Sequence, residues 1–159
     1  PWATFGKLKH RGPNIVTSLE LDPAEMEKRN IHLQQKYAEI EEKEVRYEEI
    51  HCDDAEYLIV AFGSCARIAQ KAMEEARAEG IKVGLLRPIT LWPFPSKAIA
   101  ERSRQVKGIL TVELNAGQMV EDVRLAVECK VPVEYFGRLG GIVPDPDEVV
   151  TALKEKIIE

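Results

Sequence analysis

From Tyr57 to the C-terminus, short apolar runs alternate with longer amphipathic ones, and that alternation leaves few folds open to this 159-residue chain. Tyr57-Leu58-Ile59-Val60-Ala61-Phe62 is continuously apolar and closes on Gly63-Ser64, the pattern of a strand buried on both faces. A helix is expected next, over 65–79, with Ala66, Ala69, Ala72, Met73 and Ala76 facing inward and Gly80 as its stop. The cycle then repeats three times. Further strands are expected at Lys82–Leu86, Ile109–Val112 and Val133–Phe136, and further helices over 95–106, 117–128 and from Asp145 to Ile157. Pro88, Pro93 and Pro95 break the chain between the second strand and its helix. Four strand–helix units in succession predict right-handed crossovers and a mostly parallel sheet with helices on both faces. The expected fold is thus a doubly wound α/β domain over 57–159, with the order of its strands left open. Function on such sheets gathers at the carboxyl ends of the strands.

Residues 1–56 read differently. Gly6, Gly12, Pro13 and Asn14 mark an irregular arm over 1–21. Asp22-Pro23-Ala24-Glu25 is a helix start: an N-cap, a proline at the first helical position and a glutamate completing a capping box. Met26, Leu33, Tyr37 and Ile40 then fall near one face, predicting a helix over 23–45 with one narrow apolar stripe. Such a helix lies against something rather than inside it. The stretch Val45–Asp54 fits a helix end, an edge strand or a linker.

Charge follows the same division. Residues 1–19 carry Lys7, Lys9 and Arg11 and no acid, residues 20–56 carry 13 acids against 5 bases, and the remainder is balanced, for a formal net charge of −5. The acidic block reads either as a solvated helix face or as a docking surface for a basic partner. The overall negative charge argues against nucleic acid and anionic membrane as partners. No apolar stretch approaches the roughly 20 residues of a membrane span. The first residue is Pro1, without a basic-then-apolar leader, so a secretory precursor is not expected and a whole gene product is not evident. Three cysteines, at 52, 65 and 129, lie too far apart for a disulfide framework or a Cys-x-x-Cys site. A cytoplasmic location and no metal bound by this chain are the expectations. His10, His32 and His51 show no metal spacing and read as surface residues.

Three strand ends carry candidate site residues. Gly63-Ser64 feeds a helix N-terminus, which either holds an anion or is a tight turn with Ser64 as N-cap. It lacks both a GxGxxG phrase and a P-loop lysine. Cys65 lies in that first turn, with no histidine beside it in sequence to serve as base. Glu113, Asn115 and Gln118 form a polar cluster after the third strand, which either lines a pocket or ties loops together and caps the next helix. Arg138, ahead of Gly140-Gly141, either clamps an anion or forms a salt bridge. The set Gly63, Ser64, Glu113, Asn115, Gln118 and Arg138 is therefore the candidate strand-end pocket or interface, and no residue is assigned a catalytic role.

Longer phrases go further. Arg87-Pro88-Ile89-Thr90-Leu91-Trp92-Pro93-Phe94-Pro95, then Glu113-Leu114-Asn115-Ala116-Gly117-Gln118-Met119, resemble the C-terminal domain of the α subunit of 2-oxoacid:ferredoxin oxidoreductases. Tyr135-Phe136-Gly137-Arg138 with Gly140-Gly141 and Pro144 resembles that family's next phrase. The lead-in, Pro1-Trp2-Ala3-Thr4, Asn14-Ile15-Val16-Thr17-Ser18-Leu19 and Gln35-Lys36-Tyr37, is similar to the branched-chain (2-ketoisovalerate) members. The resemblance implies a fold like the transketolase C-terminal domain. It also implies a parent enzyme that uses thiamine diphosphate with Mg²⁺, iron–sulfur clusters, coenzyme A and ferredoxin to convert a 2-oxoacid to an acyl-CoA, together with other subunits. The Gly-Asp-Gly…Asn diphosphate phrase and the cluster cysteines are absent here, so the expectation is a domain inactive by itself, serving assembly and the surroundings of the active site. A 2-oxoglutarate-specific member, the related domain of another thiamine enzyme, and a free-standing α/β ligand-binding module are the alternatives.

Overall fold

The computed structural model describes residues 9, 10, 12 and 19–159; the arm expected over 1–21 falls largely outside them. Helix α1 spans Pro23–Lys43. Its start is the one the Asp22-Pro23 phrase encodes: Asp22 Oδ1 accepts the N–H groups of Ala24 at 2.8 Å and Glu25 at 3.3 Å. None of its residues is buried. The chain divides into two units, residues 1–38 and 39–159, the division falling inside α1.

The second unit is built on a five-stranded sheet in the order β1-β3-β2-β4-β5. The ambiguous stretch at 45–54 contains an edge strand, β1 (Tyr47–Ile50), which pairs antiparallel with β3 (Val83–Pro88). The sheet therefore starts at Tyr47, ahead of the expected boundary at 57. Gly84 permits this: a Cβ there would sit 2.9 Å from the backbone oxygen of His51 and 3.0 Å from Cys52 Cα, so any side chain would push the returning backbone off β3. Strands β2 (Tyr57–Ala61), β4 (Ile109–Glu113) and β5 (Val133–Gly137) complete a parallel set with β3.

Successive residues on each strand point to opposite faces, and each face has its own core. Helices α2 (Gly63–Ala78) and α5 (Pro146–Leu153) cover one, burying Met73 and Leu153 against Ile59, Leu85 and Leu110. Helices α3 (Ser96–Ser103) and α4 (Met119–Val127) cover the other, with Ile99 and Val123 packed on Leu58, Leu86 and Ile109. A doubly wound, mostly parallel α/β architecture is thereby realised. The last helix differs from expectation in one respect: its final turn widens into a π-helix over Lys154–Ile158. The margin of the sheet at β5 is covered by cations. Arg124 donates to the carbonyl of Val133 at 3.1 and 3.3 Å, and Lys156 donates to that of Tyr135 at 2.9 Å.

Candidate functional site: the crevice between the ends of β2 and β4

From β2 the chain crosses to β3 on one side of the sheet, then to β4 on the other, so the winding direction reverses between β2 and β4. Loops at such a reversal part from each other and leave a crevice beyond the strand ends. Gly63 and Ser64 stand on one wall; Glu113, Asn115 and Gln118 stand on the other, because Ala61 is paired with Val112. The pairing of Glu113 with Gly137 sets Arg138 at the same edge.

On the β2 wall, Gly63 takes a φ of +57° at the start of α2, a backbone conformation that favours glycine. The N-cap position is Phe62, and no side chain caps the helix, which overturns Ser64 as N-cap. The Ser64 side chain is exposed instead. Among the described residues, no side chain caps the first N–H groups of α2.

On the β4 wall, Glu113 is completely buried. Its Oε2 accepts the N–H groups of Gln118 at 3.2 Å and Met119 at 2.9 Å, and its Oε1 accepts that of Val120 at 2.9 Å. A glutamate from the preceding strand therefore caps α4 and complements its dipole. Asn115 Oδ1 accepts the N–H of Gly117 at 2.7 Å, closing the turn between them. The Tyr135 hydroxyl donates to the carbonyl of Asn115 and pins this loop to β5. Gly137 makes room for that ring: a Cβ there would lie 2.6 Å from Tyr135 Cζ and 2.8 Å from the Glu113 carbonyl. Gln118 contributes its backbone, while its side chain is exposed.

Arg138 pairs with Glu148, and its backbone N–H donates to the Glu113 carbonyl at 3.3 Å. Glu148 also accepts the N–H of Asp145 at 3.1 Å as half of the capping box that opens α5. Of the two readings open for Arg138, the structure displays the salt bridge. Tyr135 and Glu148 were not among the sequence candidates. The Asp145–Glu148 capping phrase pointed to the second, whereas nothing in the spacing around Tyr135 distinguishes it from an ordinary strand residue.

Among the described residues, the thiol and the phenol at this edge are both shifted away from their ionised forms. Burial, and then the Glu113 carboxylate, push the Cys65 thiol above its ordinary range. The same two causes, in the same order, raise the Tyr135 hydroxyl. Burial followed by Glu49 takes Cys52 to about 11. Among the described residues no three His, Cys, Asp or Glu side chains come together as metal ligands. The one carboxylate at the centre of the edge, Glu113, already holds three N–H groups. These donors do not fit a Mg²⁺-diphosphate. The edge is also apolar: Ile89, Leu91, Leu114, Leu139, Ile142 and Val143 are exposed on the loops that follow β3, β4 and β5.

The profile of the pyruvate:ferredoxin oxidoreductase core domain II family matches residues 55–149. The chain belongs to the pyruvate:ferredoxin oxidoreductase core domain II family. Among members of known naming, it is 49% identical over 97% of its length to the ketoisovalerate oxidoreductase subunit VorB of Methanothermobacter thermautotrophicus, covering 43% of that subunit. It is 30% identical to the 2-oxoglutarate synthase subunit KorA of Archaeoglobus fulgidus, over 88% of this chain and 40% of that one. The chain thus spans less than half the length of these core domain II relatives. Among solved structures, a 2-oxoglutarate:ferredoxin oxidoreductase from Magnetococcus marinus, described with 2-oxoglutarate, coenzyme A and succinyl-CoA bound, superposes with a TM-score of 0.73 at 24% identity. It covers 86% of this chain and 24% of that one. A split-gene transketolase follows at 0.61 and 22%, over 69% of this chain and 40% of that one. These two likenesses speak for the fold alone, a doubly wound α/β sheet of the kind also found in a transketolase. No helix among the described residues is long and apolar enough to cross a membrane.

Proposed function

We propose that this chain is the C-terminal domain of the α subunit of a thiamine-diphosphate-dependent 2-oxoacid:ferredoxin oxidoreductase that converts a branched-chain 2-oxoacid to its acyl-CoA. The observation that carries the reading is the 49% identity to a ketoisovalerate oxidoreductase subunit across 97% of the chain. Within that cytoplasmic enzyme the domain serves assembly and shapes the surroundings of the active site. Thiamine diphosphate, Mg²⁺ and iron–sulfur clusters belong to other domains and subunits of the parent, which also uses coenzyme A and ferredoxin. Two features support a supporting rather than a catalytic part. Glu113 and Arg138 at the carboxyl edge are engaged in capping and ion pairing, and the loops around them expose apolar side chains suited to a neighbouring subunit.

The test uses the complete parent enzyme purified with its co-purifying subunits. Viologen reduction with coenzyme A should be fastest with 2-ketoisovalerate, slower with 2-oxoglutarate and pyruvate, and absent from the 159-residue chain alone. Preference for 2-oxoglutarate would replace the substrate assignment. Turnover by the chain alone would overturn the role given to the domain.

A further inference from the structure

Helix α1 carries a heptad repeat. Met26, Leu33 and Ile40 recur at intervals of seven, and Asn30 and Tyr37 recur four residues after the first two. That is the spacing of a coiled-coil seam, with Met26, Leu33 and Ile40 in the d positions and Asn30 and Tyr37 in the a positions. None of these side chains is buried within the chain. The 21-residue helix is about 31 Å long at 1.5 Å per residue, or three heptads.

The flanks of the seam are charged with opposite sign. In this register Arg29, Lys36 and Lys43 line one side, and Glu27, Gln34 and Glu41 line the other. Two copies laid antiparallel would set basic flank against basic flank and acidic against acidic. Laid parallel, each basic flank meets the acidic flank of the other copy, five residues further along. Lys36 then faces Glu41 of the second copy, and Arg29 faces its Gln34, each twice by symmetry. A single polar residue at an a position, here Asn30, favours two strands in one register. Ion pairs within the helix, Lys28 with Glu25 at 2.6 Å on the outer face and Lys43 of the basic flank with Glu39 at 3.8 Å, support helix formation.

We infer that α1 pairs with α1 of a second copy of this chain as a parallel two-stranded coiled coil, selected by the complementarity of its basic and acidic flanks. A parallel pair is closed by a twofold axis along its length, so it yields a dimer rather than a filament. The pairing is independent of which 2-oxoacid the parent enzyme takes.

Sedimentation equilibrium of the 159-residue chain decides it. Wild type should show a concentration-dependent monomer–dimer equilibrium, and Leu33→Asp should be monomeric with the circular dichroism of the α/β unit unchanged. Lys36→Glu and Glu41→Lys should each weaken self-association by about tenfold, since each turns two facing attractions into two repulsions. An equimolar mixture of these two variants should dimerise at least as well as wild type, because every facing pair in the mixed dimer is again of opposite sign. A wild-type chain monomeric to millimolar concentration would overturn the pairing. Stronger association of Lys36→Glu would overturn its parallel sense. A dimer untouched by Leu33→Asp would place the interface elsewhere.

Discussion

Replacing Glu113 by glutamine tests how much the carboxyl edge depends on one buried side chain. The carboxylate accepts three backbone N–H groups at the start of α4, and the glutamine amide is nearly isosteric. Its single carbonyl oxygen can keep the pair of bonds from Gln118 and Met119. The amide nitrogen then points its own hydrogens at the N–H of Val120, leaving two donors face to face in a site without solvent. Hydrogen bonds to a charged acceptor contribute about 1.5–3 kcal/mol each, against about 0.5–1.5 for neutral pairs. Losing one bond and weakening two gives a destabilisation of about 3 kcal/mol. For a chain of this size that lowers the melting temperature by roughly 10 °C, at about 2–4 °C per kcal/mol. Thermal and urea unfolding of the 159-residue chain measure the global effect. Hydrogen exchange at Gln118, Met119 and Val120 measures the local one, and it should accelerate more than at the amides of β2. A variant within 0.5 kcal/mol of wild type, with those three amides still protected, would refute the view that Glu113 holds the α4 start in place.

Three further outcomes are expected. Gly137→Ala should cost about 2–4 kcal/mol, because the new methyl would collide with the Tyr135 ring and the Glu113 carbonyl, and Gly137→Ala with Tyr135→Ala should be less destabilising than the two single changes added together, as unfolding midpoints will show. At pH 8 a disulfide-exchange reagent should titrate one thiol rapidly, the exposed Cys129, with Cys52 and Cys65 reacting only in denaturant, because burial raises both and hides them. The Arg77 guanidinium and the Lys107 ammonium, each hydrogen-bonded to its partner, hold Asp54 and Glu56 below the ordinary carboxylate range. Their contribution to stability is therefore present at neutral pH and lost as the pH falls through that range and below it, so Asp54→Asn with Glu56→Gln should flatten the acid limb of the urea midpoint against pH.

The strand–helix alternation after Tyr57 was legible because the central strands β2 and β4 are buried on both faces and read as apolar runs, such as Leu58-Ile59-Val60-Ala61. Strand β1 was not, because an edge strand with exposed faces has no such run: Tyr47-Glu48-Glu49-Ile50 could be helix, strand or linker, and only its pairing with β3 decides. Strand order depends on which way each crossover travels, and periodicity along one segment holds no record of that. The reversal of winding between β2 and β4 became visible only with the topology. The polar cluster after β4 could be located from residue types, but its two readings could not be separated. Glu113 closes a run of buried strand residues, where an acid is unexpected, and its three partners lie five to seven residues downstream, in a turn whose path is set by Gly117 and by the Tyr135 hydroxyl.

The cations along β5 govern how this sheet can grow. A strand edge with open carbonyl groups invites another chain to add on, and repeated addition is the route to fibres. Here an incoming strand would have to displace Arg124 from Val133 and Lys156 from Tyr135 before it could bond to that margin. At the opposite margin it would meet the charged pairs Glu48–Arg87 and Glu49–Arg102, at 2.8 and 2.5 Å. Polymerisation by sheet extension is thereby disfavoured at both ends, and larger assemblies are directed to the loops and helices instead. Removing Arg124 and Lys156 together would convert a chain that stops at five strands into one prone to template its own aggregation.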